Sequence, residues 1–334
     1  MKRATILFMI ILGTALVCLV APLFGTKSLW SMLLGDAEQG AAAWDILWSI
    51  RLPRTILAFL AGCALAVSGL TFQAIFRNPL ATPFTLGISS GASFGATAFI
   101  RFGLPLSLQG GLGAAFFAFL GAVLSVFVVY GLTRFKNAHS TASMLLAGVA
   151  VSYCFSSLIL LMQYTADFHH SFQIVRWLMG GLEVVGYGRV ITIAPFVFIG
   201  CLILLTFSHE LNLMAAGEDL AVSRGVNVKR VIIGAFLVTS LMIGAVVSVC
   251  GPIGFIGMMV PHICRLLLGW DHRVLLPATI AFGGGFLVLC DTVSRTVFSP
   301  VEIPVGVITA MLGGPFFLWL LAGGSAERAY QKGQ

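Results

Sequence analysis

Long apolar segments alternate with short polar ones throughout this sequence, and they restrict what the chain can fold into. Of its 334 residues, 59% are hydrophobic and 9% are charged, whereas a soluble domain normally carries about a quarter charged residues. Most of the apolar segments approach the roughly 20 residues that a helix needs to cross a bilayer. The sequence therefore predicts an all-α, polytopic membrane protein and excludes a soluble domain.

We predict about ten transmembrane helices in a single transmembrane domain that covers residues 1–334. Their expected bounds are 4–24, 52–75, 84–100, 111–133, 142–163, 189–207, 230–250, 255–268, 274–296 and 305–322. At 1.5 Å per residue the eighth extends only about 21 Å, short of a hydrocarbon core of ~30 Å. It follows Gly251 and contains Pro261, which favours a broken or re-entrant helix buried in protein or lining a water-filled path.

The basic residues predict the orientation, because Lys and Arg collect on the cytoplasmic side of membrane proteins. With a cytoplasmic N-terminus, the cytoplasmic set is Lys2, Arg3, Arg77, Arg134, Lys136, Arg224, Lys229, Arg230, Arg265, Arg273, Arg328 and Lys332. The smaller outer set is Lys27, Arg51, Arg54, Arg101, Arg176, Arg189 and Arg295. Both termini are therefore expected in the cytoplasm. The net charge of +7 is interpreted as topology and not as affinity for nucleic acid.

Two local patterns predict how the helices are arranged. Stripes of small residues, where helix backbones can approach closely, are formed by Gly87, Gly91 and Gly95 and by Ala58, Gly62 and Ala66. Between the fifth and sixth spans, residues 171–181 are predicted to form a short amphipathic helix on the outer surface, with Trp177 suited to the membrane interface.

The segment Gly217–Arg230, which we call the knuckle, is the longest charged break between apolar segments. It is predicted to begin with a short helix. Glu218 and Asp219 lie in the first turn, where carboxylates favour the positive end of the helix dipole. Arg224 lies in the last turn, and Gly225 follows at the position of a left-handed cap.

Asn227 is then expected to cap a second helix that begins at Val228. Paired short helices at about 208–230, between two membrane spans, form a shape suited to docking on a protein in the aqueous phase. An ordinary solvated loop is the alternative.

The outer arginines are the other unusual feature. Arg51 and Arg54 flank Pro53 at the start of the second predicted span, where cations oppose the helix dipole and also contradict the charge rule. Lipid phosphate could compensate them, or an acidic partner protein docking from outside. Asp291 is the one acid well inside a predicted span, and an i,i+4 pair with Arg295 near the outer boundary accounts for it.

Catalytic and metal-binding motifs are missing from the sequence. It contains no Gly-x-x-x-x-Gly-Lys-Ser/Thr loop, so the chain is not expected to hydrolyse ATP by that route. His209-Glu210 resembles the start of a zinc-protease motif, but Leu213 occupies the position of the second His. His169-His170 beside Asp167 could bind a metal, but adjacent residues do not share a helix face, which favours a solvated loop. The seven cysteines show no paired spacing, which argues against a disulfide framework or a metal site. Taken together, these observations predict a protein that is not an enzyme and has neither metal nor cofactor.

Seven motifs together resemble one known family. They are Arg51–Arg54, Gln73–Ala81 with Gly87–Ala92, Leu145–Ala150, the knuckle to residue 226, Gly251–Gly257 with Pro261-His262, Asp271–Arg273, and Glu302–Gly306 running to Trp319. With these motifs, the chain resembles the FecCD-type permeases over nearly its whole length. Those proteins are the membrane subunits of ABC importers for iron–siderophore complexes, haem and cobalamin.

The resemblance implies a type II ABC importer permease in the bacterial cytoplasmic (inner) membrane. It implies ten helices per subunit and two permease subunits, identical or paralogous, around one pathway. It also implies two cytoplasmic ATPase subunits and an extracytoplasmic substrate-binding protein, with membrane lipid as the surrounding partner.

The resemblance also implies residue roles. The residues that would couple to the ATPase are Gly217, Glu218, Asp219, Leu220, Ala221, Arg224 and Gly225. Arg51, Arg54 and Arg295 match arginines that receive acidic residues of the binding protein. Thr141 matches a hydroxyl residue at the cytoplasmic gate, and Ala142 replaces the second hydroxyl found in the cobalamin importer.

These observations favour an importer subunit that works by alternating access, with an iron(III)–siderophore complex as cargo. Cobalamin or haem import by the same family is the alternative. A secondary transporter is less favoured, because it would need several intramembrane ionisable residues and only Asp291 qualifies. A membrane-embedded hydrolase lacks its catalytic motif. Co-purification with an ATPase would separate the first interpretation from the last two.

Overall fold

The computed structural model describes residues 2–25, 37–102, 112–135 and 141–322, and in these ranges it contains helices and no strand. The α-helices are α1 Lys2–Val20, α2 Ala37–Ile46, α3 Leu52–Ile75, α4 Ile88–Phe102, α5 Leu112–Phe135, α6 Thr141–Tyr164, α7 Phe168–Leu178, α8 Gly188–Thr206, α9 Ser208–Ala216, α10 Glu218–Ser223, α11 Val228–Cys250, α12 Ile256–Leu268, α13 His272–Thr296 and α14 Val305–Ala322. A 3₁₀ turn, Ala21–Leu23, extends α1, and a π-helical turn, Leu47–Arg51, joins α2 to α3.

The all-α prediction is confirmed. Seven helices of the described chain are long and apolar enough to cross a membrane, while α12 and the Val305–Leu320 part of α14 are shorter apolar helices. Helices α5, α6, α8, α11, α13 and α14 coincide with predicted spans to within two residues at either end. The predicted surface helix at 171–181 is α7, capped by the Asp167 carboxylate, which accepts from the His170 N–H. The count of ten crossings stays a prediction.

The second span departs from the prediction, because it does not begin at residue 52. Arg51 has helical dihedral angles, and α2, the π-helical turn and α3 form one continuous helix. Pro53 has no N–H to offer to the Ser49 carbonyl, which normally would leave that carbonyl unpaired. The Gly186 N–H donates to it instead, at 2.7 Å. A contact from a distant loop thus allows the helix to pass through a proline that the sequence suggests as a start.

Helix α3 lies at the centre of the molecule, and every residue from Ala61 to Ile75 is buried. Gly62 packs against the Gly283 carbonyl of α13, and Gly69 packs against Gly257 of α12. A side chain at either glycine would collide with that backbone, so close approach requires glycine there. The Gly91 and Gly95 stripe packs against α5 in the same way. The stripe of Ala58, Gly62 and Ala66 and the Gly91–Gly95 part of the other are therefore helix contacts, whereas Gly87 lies before α4 with a φ of +80°.

The break before α12 was also predicted. Helix α11 ends at Cys250, and Phe255 has a left-handed backbone with φ of 68° immediately before α12. Other parts of the chain cover the non-helical backbone of this break. The Gly181 N–H donates to the Cys250 carbonyl at 2.8 Å, and the Trp177 carbonyl lies against Gly251. Irregular backbone at membrane depth requires such cover.

Two charged ends of the molecule are separated by the length of α13, about 37 Å at 1.5 Å per residue. We call them the knuckle end, which contains α9, α10 and His272, and the arginine end, which contains Arg54 and Arg295.

Candidate coupling and docking sites

The knuckle folds as its sequence predicts. Glu218 and Asp219 occupy the first turn of α10, and Arg224 follows as its C-cap. Gly225 has a φ of +83°, in the left-handed region that a residue other than glycine rarely adopts. The Asn227 side chain accepts from the Arg230 N–H at 3.0 Å, which caps α11 at Val228. Local capping chemistry is therefore enough to specify both short helices.

Helix α10 presents most of its side chains to the outside. Glu218, Asp219 and Arg224 are exposed, and Leu220 keeps 42% of its surface exposed. Ala221 alone is fully buried and holds the helix against the bundle. Charged and apolar side chains displayed together on one six-residue helix form a surface suited to a protein partner.

Helix α9 is fastened to the start of α13 through Asn212, which sequence reasoning missed. The Asn212 Nδ2 donates to Asp271 Oδ1 at 2.8 Å, and its Oδ1 accepts from the backbone N–H of His272 at 2.8 Å. The His272 Nδ1 lies 2.8 Å from the same oxygen. The Asn212 amide and the Arg273 N–H hold the pKa of the Asp271 carboxyl below its ordinary value. The sequence signals this contact only through Asp271, a residue type that often caps the start of a helix.

A cleft of about 740 Å³ opens beside this fastening at the knuckle end. Its lining includes Gln73 at the end of α3, Asn212 and Ala216 of α9, and Trp270 and His272 at the start of α13. The cleft thus lies next to the surface that α10 displays.

At the arginine end, Arg54 joins two acids from different segments. Its Nε donates to both carboxylate oxygens of Asp291 at 2.9 and 3.1 Å, and its Nη1 donates to Glu302 Oε2 at 2.7 Å. Arg54 is 7% exposed and Asp291 1% exposed. Removing charges from water is costly unless they are paired and hydrogen-bonded, and here they are.

Arg51 and Arg295 stabilise the end of α1. The Arg295 Nη2 donates to the Ala21 carbonyl at 2.8 Å, and Arg51 Nη1 donates to the Pro22 and Leu23 carbonyls at 3.2 and 3.1 Å. Cations are favourable at the C-terminal end of a helix. The predicted i,i+4 pair is confirmed, with Arg295 Nε 3.6 Å from Asp291 Oδ2.

The structure therefore brings the three predicted docking arginines together. It also corrects the explanation that the sequence suggested for their positions. Arg51 and Arg54 do not oppose a helix dipole as predicted, because the helix continues through Arg51 from α2. Their charge is met inside the chain by Asp291, Glu302 and the end of α1. Sequence reasoning missed Glu302, since no local pattern connects it with Arg54, 248 residues earlier.

The predicted gate residues lie where α6 begins. Thr141 is the first residue of α6, and its side chain lies outside the described part of the structure. Ala142 follows and is exposed.

Comparisons with known proteins agree on one family. The profile of the FecCD transport family matches residues 6–323. The chain is 37% identical over 321 residues to the hemin transport system permease protein HmuU of Yersinia pestis, covering 93% of this chain and 95% of that protein. It is 40% identical over 279 residues to the vitamin B12 import system permease protein BtuC of Klebsiella pneumoniae, covering 82% of each.

A solved structure has the same fold. An ABC transporter assigned to the metal-chelate type, in an inward-facing conformation, superposes with a TM-score of 0.85 at 30% identity, covering 96% of this chain and 99% of that one. The match to the family profile spans nearly every element described above, from α1 to α14. The chain therefore belongs to the FecCD transport family, whose members are membrane-spanning ABC transporter permeases.

Proposed function

We propose that the chain is the permease subunit of a bacterial ABC importer and that it forms the pathway for an iron(III)–siderophore complex handed over by a binding protein. The observation that carries the ABC assignment is the exposed α10 between two spans, in a chain that matches the family from residue 6 to 323. The knuckle end and both termini are proposed to lie in the cytoplasm, because the basic residues concentrate there.

The knuckle, with α9 before it, is the proposed contact with the ATPase. Two ATPase subunits would each receive one α10, and their closure on ATP would push the knuckle toward the bundle. Glu218, Asp219 and Leu220 point away from the chain and are available for that contact. Gly217 and Gly225, with φ of +148° and +83°, permit the sharp turns on either side of α10. In this proposal the chain is coupled to ATP hydrolysis but does not catalyse it, which agrees with the absence of an ATP-binding loop from its sequence.

A second permease subunit is proposed to cover the exposed apolar faces of α6 and α14. Leu146 and Tyr153 of α6 are 73% and 72% exposed, and Trp319 of α14 is 64% exposed. Lipid covers apolar helix faces as well, but Tyr153 lies in the middle of α6, where its hydroxyl is better placed in a protein contact or along a pathway than in lipid tails. The second subunit would be an identical copy or a paralogue. Thr141 and Ala142, where α6 begins, would form the cytoplasmic gate.

The binding protein is proposed to dock at the arginine end. Arg51, Arg54 and Arg295 are buried in the present arrangement, so docking would require an exchange of partners. Glu302 is the member of the cluster that can leave, because its side chain is 36% exposed while that of Asp291 is 1% exposed. A carboxylate of the binding protein would take the place of Glu302 on Arg54.

A secondary transporter remains the rival from another class. In such a protein an intramembrane acid carries a coupling ion or proton. Within the described spans Asp291 is held by Arg54 and Arg295, which leaves it poorly suited to that role.

Co-purification tests the ABC assignment most simply. The tagged chain, expressed with the ATPase genes of its source organism, should retain an ATPase subunit through detergent extraction and gel filtration. A variant in which α10 is replaced by a glycine–serine linker should lose it. Retention by the linker variant would remove the knuckle from the contact, and no retention by the natural chain would contradict the assignment.

The cargo is tested separately. Purified binding protein should bind a ferric siderophore, and haem and cobalamin should compete poorly for its site. The reconstituted transporter should import the same siderophore complex. Preferential binding of haem or cobalamin would replace the siderophore assignment while leaving the importer assignment intact.

A further inference from the structure

We propose that Asn212 is the positioning residue through which the knuckle moves a three-helix unit made of α1, α3 and α13, and so reaches the arginine end. This inference rests on the proposed function, in which the knuckle receives the ATPase. It adds the mechanical connection from that contact to the far side of the molecule.

The first step is the fastening itself. The Asn212 amide makes one donor and one acceptor bond to consecutive residues, Asp271 Oδ1 and the His272 N–H, both at 2.8 Å. The two bonds fix position and direction together, as one bond would not. His272 is 2% exposed, so the bond to its backbone lies in a protected place. A second, exposed contact joins the same helices, with Arg273 Nη2 3.2 Å from His209 Nδ1.

The second step is that α13 moves together with its neighbours. Gly283, Gly284 and Gly285 would weaken an isolated helix, yet each is covered by another helix. Gly283 lies against Gly62 of α3, and the side chain of Thr14 in α1 lies against Gly285. The Thr14 hydroxyl also donates to the Ala281 carbonyl at 3.1 Å. Close packing of this kind moves as a body, because packed interiors are not continuously deformable.

The third step is that the same three helices are joined again at the arginine end. Arg54 of α3 holds Asp291 of α13 in a buried ion pair, with its Nε–H shared between the two carboxylate oxygens. Arg295 of α13 donates to Ala21 at the end of α1, and Arg51 donates to Pro22 beside it. Contacts at the arginine end and in the middle of the helices thus hold α1, α3 and α13 together, and Asn212 connects the knuckle end of α13 to α9.

The fourth step concerns the consequence for the arginine end. Arg54 also holds Glu302, in the segment that leads into α14. Ile303, next to Glu302, exchanges two hydrogen bonds with Ser294 of α13, at 3.2 and 2.6 Å. A shift of the unit along its axis therefore carries Arg54, Asp291 and Glu302 together and displaces the whole cluster relative to the outer surface. Movement of the knuckle would therefore alter docking of the binding protein, and docking would bias the position of the knuckle by the same coupling free energy. The rate of ATP hydrolysis by the attached ATPase would follow that bias.

The test uses the complete transporter, reconstituted with its ATPase and binding protein. The readout is the ratio of ATP hydrolysis rates with and without loaded binding protein. Asn212→Asp places a carboxylate against Asp271 and should reduce that ratio to one, while the ATPase still co-purifies. Asp271→Asn alone should keep the wild-type ratio, because the new amide oxygen can accept from Asn212.

The double variant Asn212→Asp with Asp271→Asn decides the matter. The amide at 271 can now donate to the carboxylate at 212, which still accepts from the His272 N–H, so the ratio should return to the wild-type value. Asn78→Asp is the matched control, since it makes the same change from amide to carboxylate in the turn after α3, outside the knuckle, where the side-chain oxygen accepts from the Leu80 N–H. It should leave the ratio close to the wild-type value. If Asn212→Asp does not assemble, Asn212→Ser replaces it, with the same expected loss.

Three results would overturn the inference. The ratio could stay at its wild-type value in both Asn212→Asp and Asn212→Ser, or the double variant could stay uncoupled although Asp271→Asn is normal. Asn78→Asp could also lower the ratio as much as Asn212→Asp does, which would make the effect a general result of adding a carboxylate at the knuckle end. These results leave the proposed function standing, because they are measured against a wild-type complex that hydrolyses ATP and responds to binding protein. A wild-type complex without that response would remove the proposed function and this inference with it.

Discussion

Asp291 is the residue on which the charge balance of the arginine end depends. Both of its carboxylate oxygens accept from the Arg54 Nε–H, its Oδ2 lies 3.6 Å from Arg295 Nε, and it is 1% exposed. Breaking a buried pair by removing one partner leaves an uncompensated buried charge, which costs about 3–5 kcal/mol. We expect Asp291→Ala to lower the thermal unfolding midpoint of the purified chain sharply.

Glu183→Gln is the control for that measurement. It breaks the exposed pair with Arg176, whose side chains are 62% and 59% exposed, and such pairs contribute about 0–1 kcal/mol. Equal midpoints for Asp291→Ala and Glu183→Gln would contradict the buried network.

Glu302 tests the proposed exchange at the docking site. Replacing it with Gln removes the internal competitor for Arg54 while keeping the shape of the side chain. We expect faster association of the binding protein with the reconstituted transporter, and a weaker association as salt is added, because charges at an interface act mainly on association rate. Replacing the three arginines with Glu would be a poorer test, since it would set carboxylates against buried Asp291. An association rate unchanged in Glu302→Gln would argue against exchange.

Asp271 makes the fastening of α9 sensitive to acid. Its folded-state pKa lies below the ordinary value of 3.8, chiefly because the Asn212 amide donates to it. A carboxyl whose pKa is depressed by folding contributes stability above its unfolded pKa and loses it as pH falls through the folded pKa. The wild-type chain should therefore lose thermal stability below about pH 4 more steeply than Asp271→Asn, whose amide does not titrate. Parallel pH profiles would exclude the contribution.

At the scale of elements, α10 carries the proposed contact with the ATPase. Reversing Glu218 and Asp219 to Lys puts cations at the positive end of the helix, at a cost of about 0.3–1 kcal/mol each. It also inverts the surface that α10 offers. We expect loss of ATPase co-purification and of uptake, with normal insertion, and an intermediate effect for the matched Gln variants. Normal co-purification and uptake in the Lys variant would reduce the knuckle to a loop.

What the sequence could predict follows the range of the interactions involved. The ends of α10 and α11 depend on Gly225 and Asn227, which act within their own turns, and both were predicted. The start of the second span was placed wrongly, because the Ser49 carbonyl above Pro53 is satisfied by Gly186, far along the chain. The partner of Arg54 and the role of Asn212 were missed for the same reason. Contacts between distant segments leave no periodic signal.

At the scale of the whole molecule, orientation is the first consequence to test. The charge distribution predicts that the knuckle and the C-terminal tail share the cytoplasmic side. Single cysteines at Ser223 and Ser325 in a cysteine-free chain should resist impermeant thiol reagents in intact cells and react after permeabilisation. Ser223 is exposed at the end of α10, whereas Ser325 lies outside the described residues. Labelling of either site from outside would overturn the topology with about ten crossings.

The central claim is that this chain is the membrane pathway of an ATP-driven importer. The most direct measurement is uptake of labelled ferric siderophore into liposomes that contain the chain and its ATPase, with ATP enclosed on the knuckle side and loaded binding protein on the other. The account predicts accumulation against a gradient that requires ATP and binding protein together and is lost in the Glu218→Lys/Asp219→Lys variant. Accumulation driven by a proton or sodium gradient without ATP would contradict it.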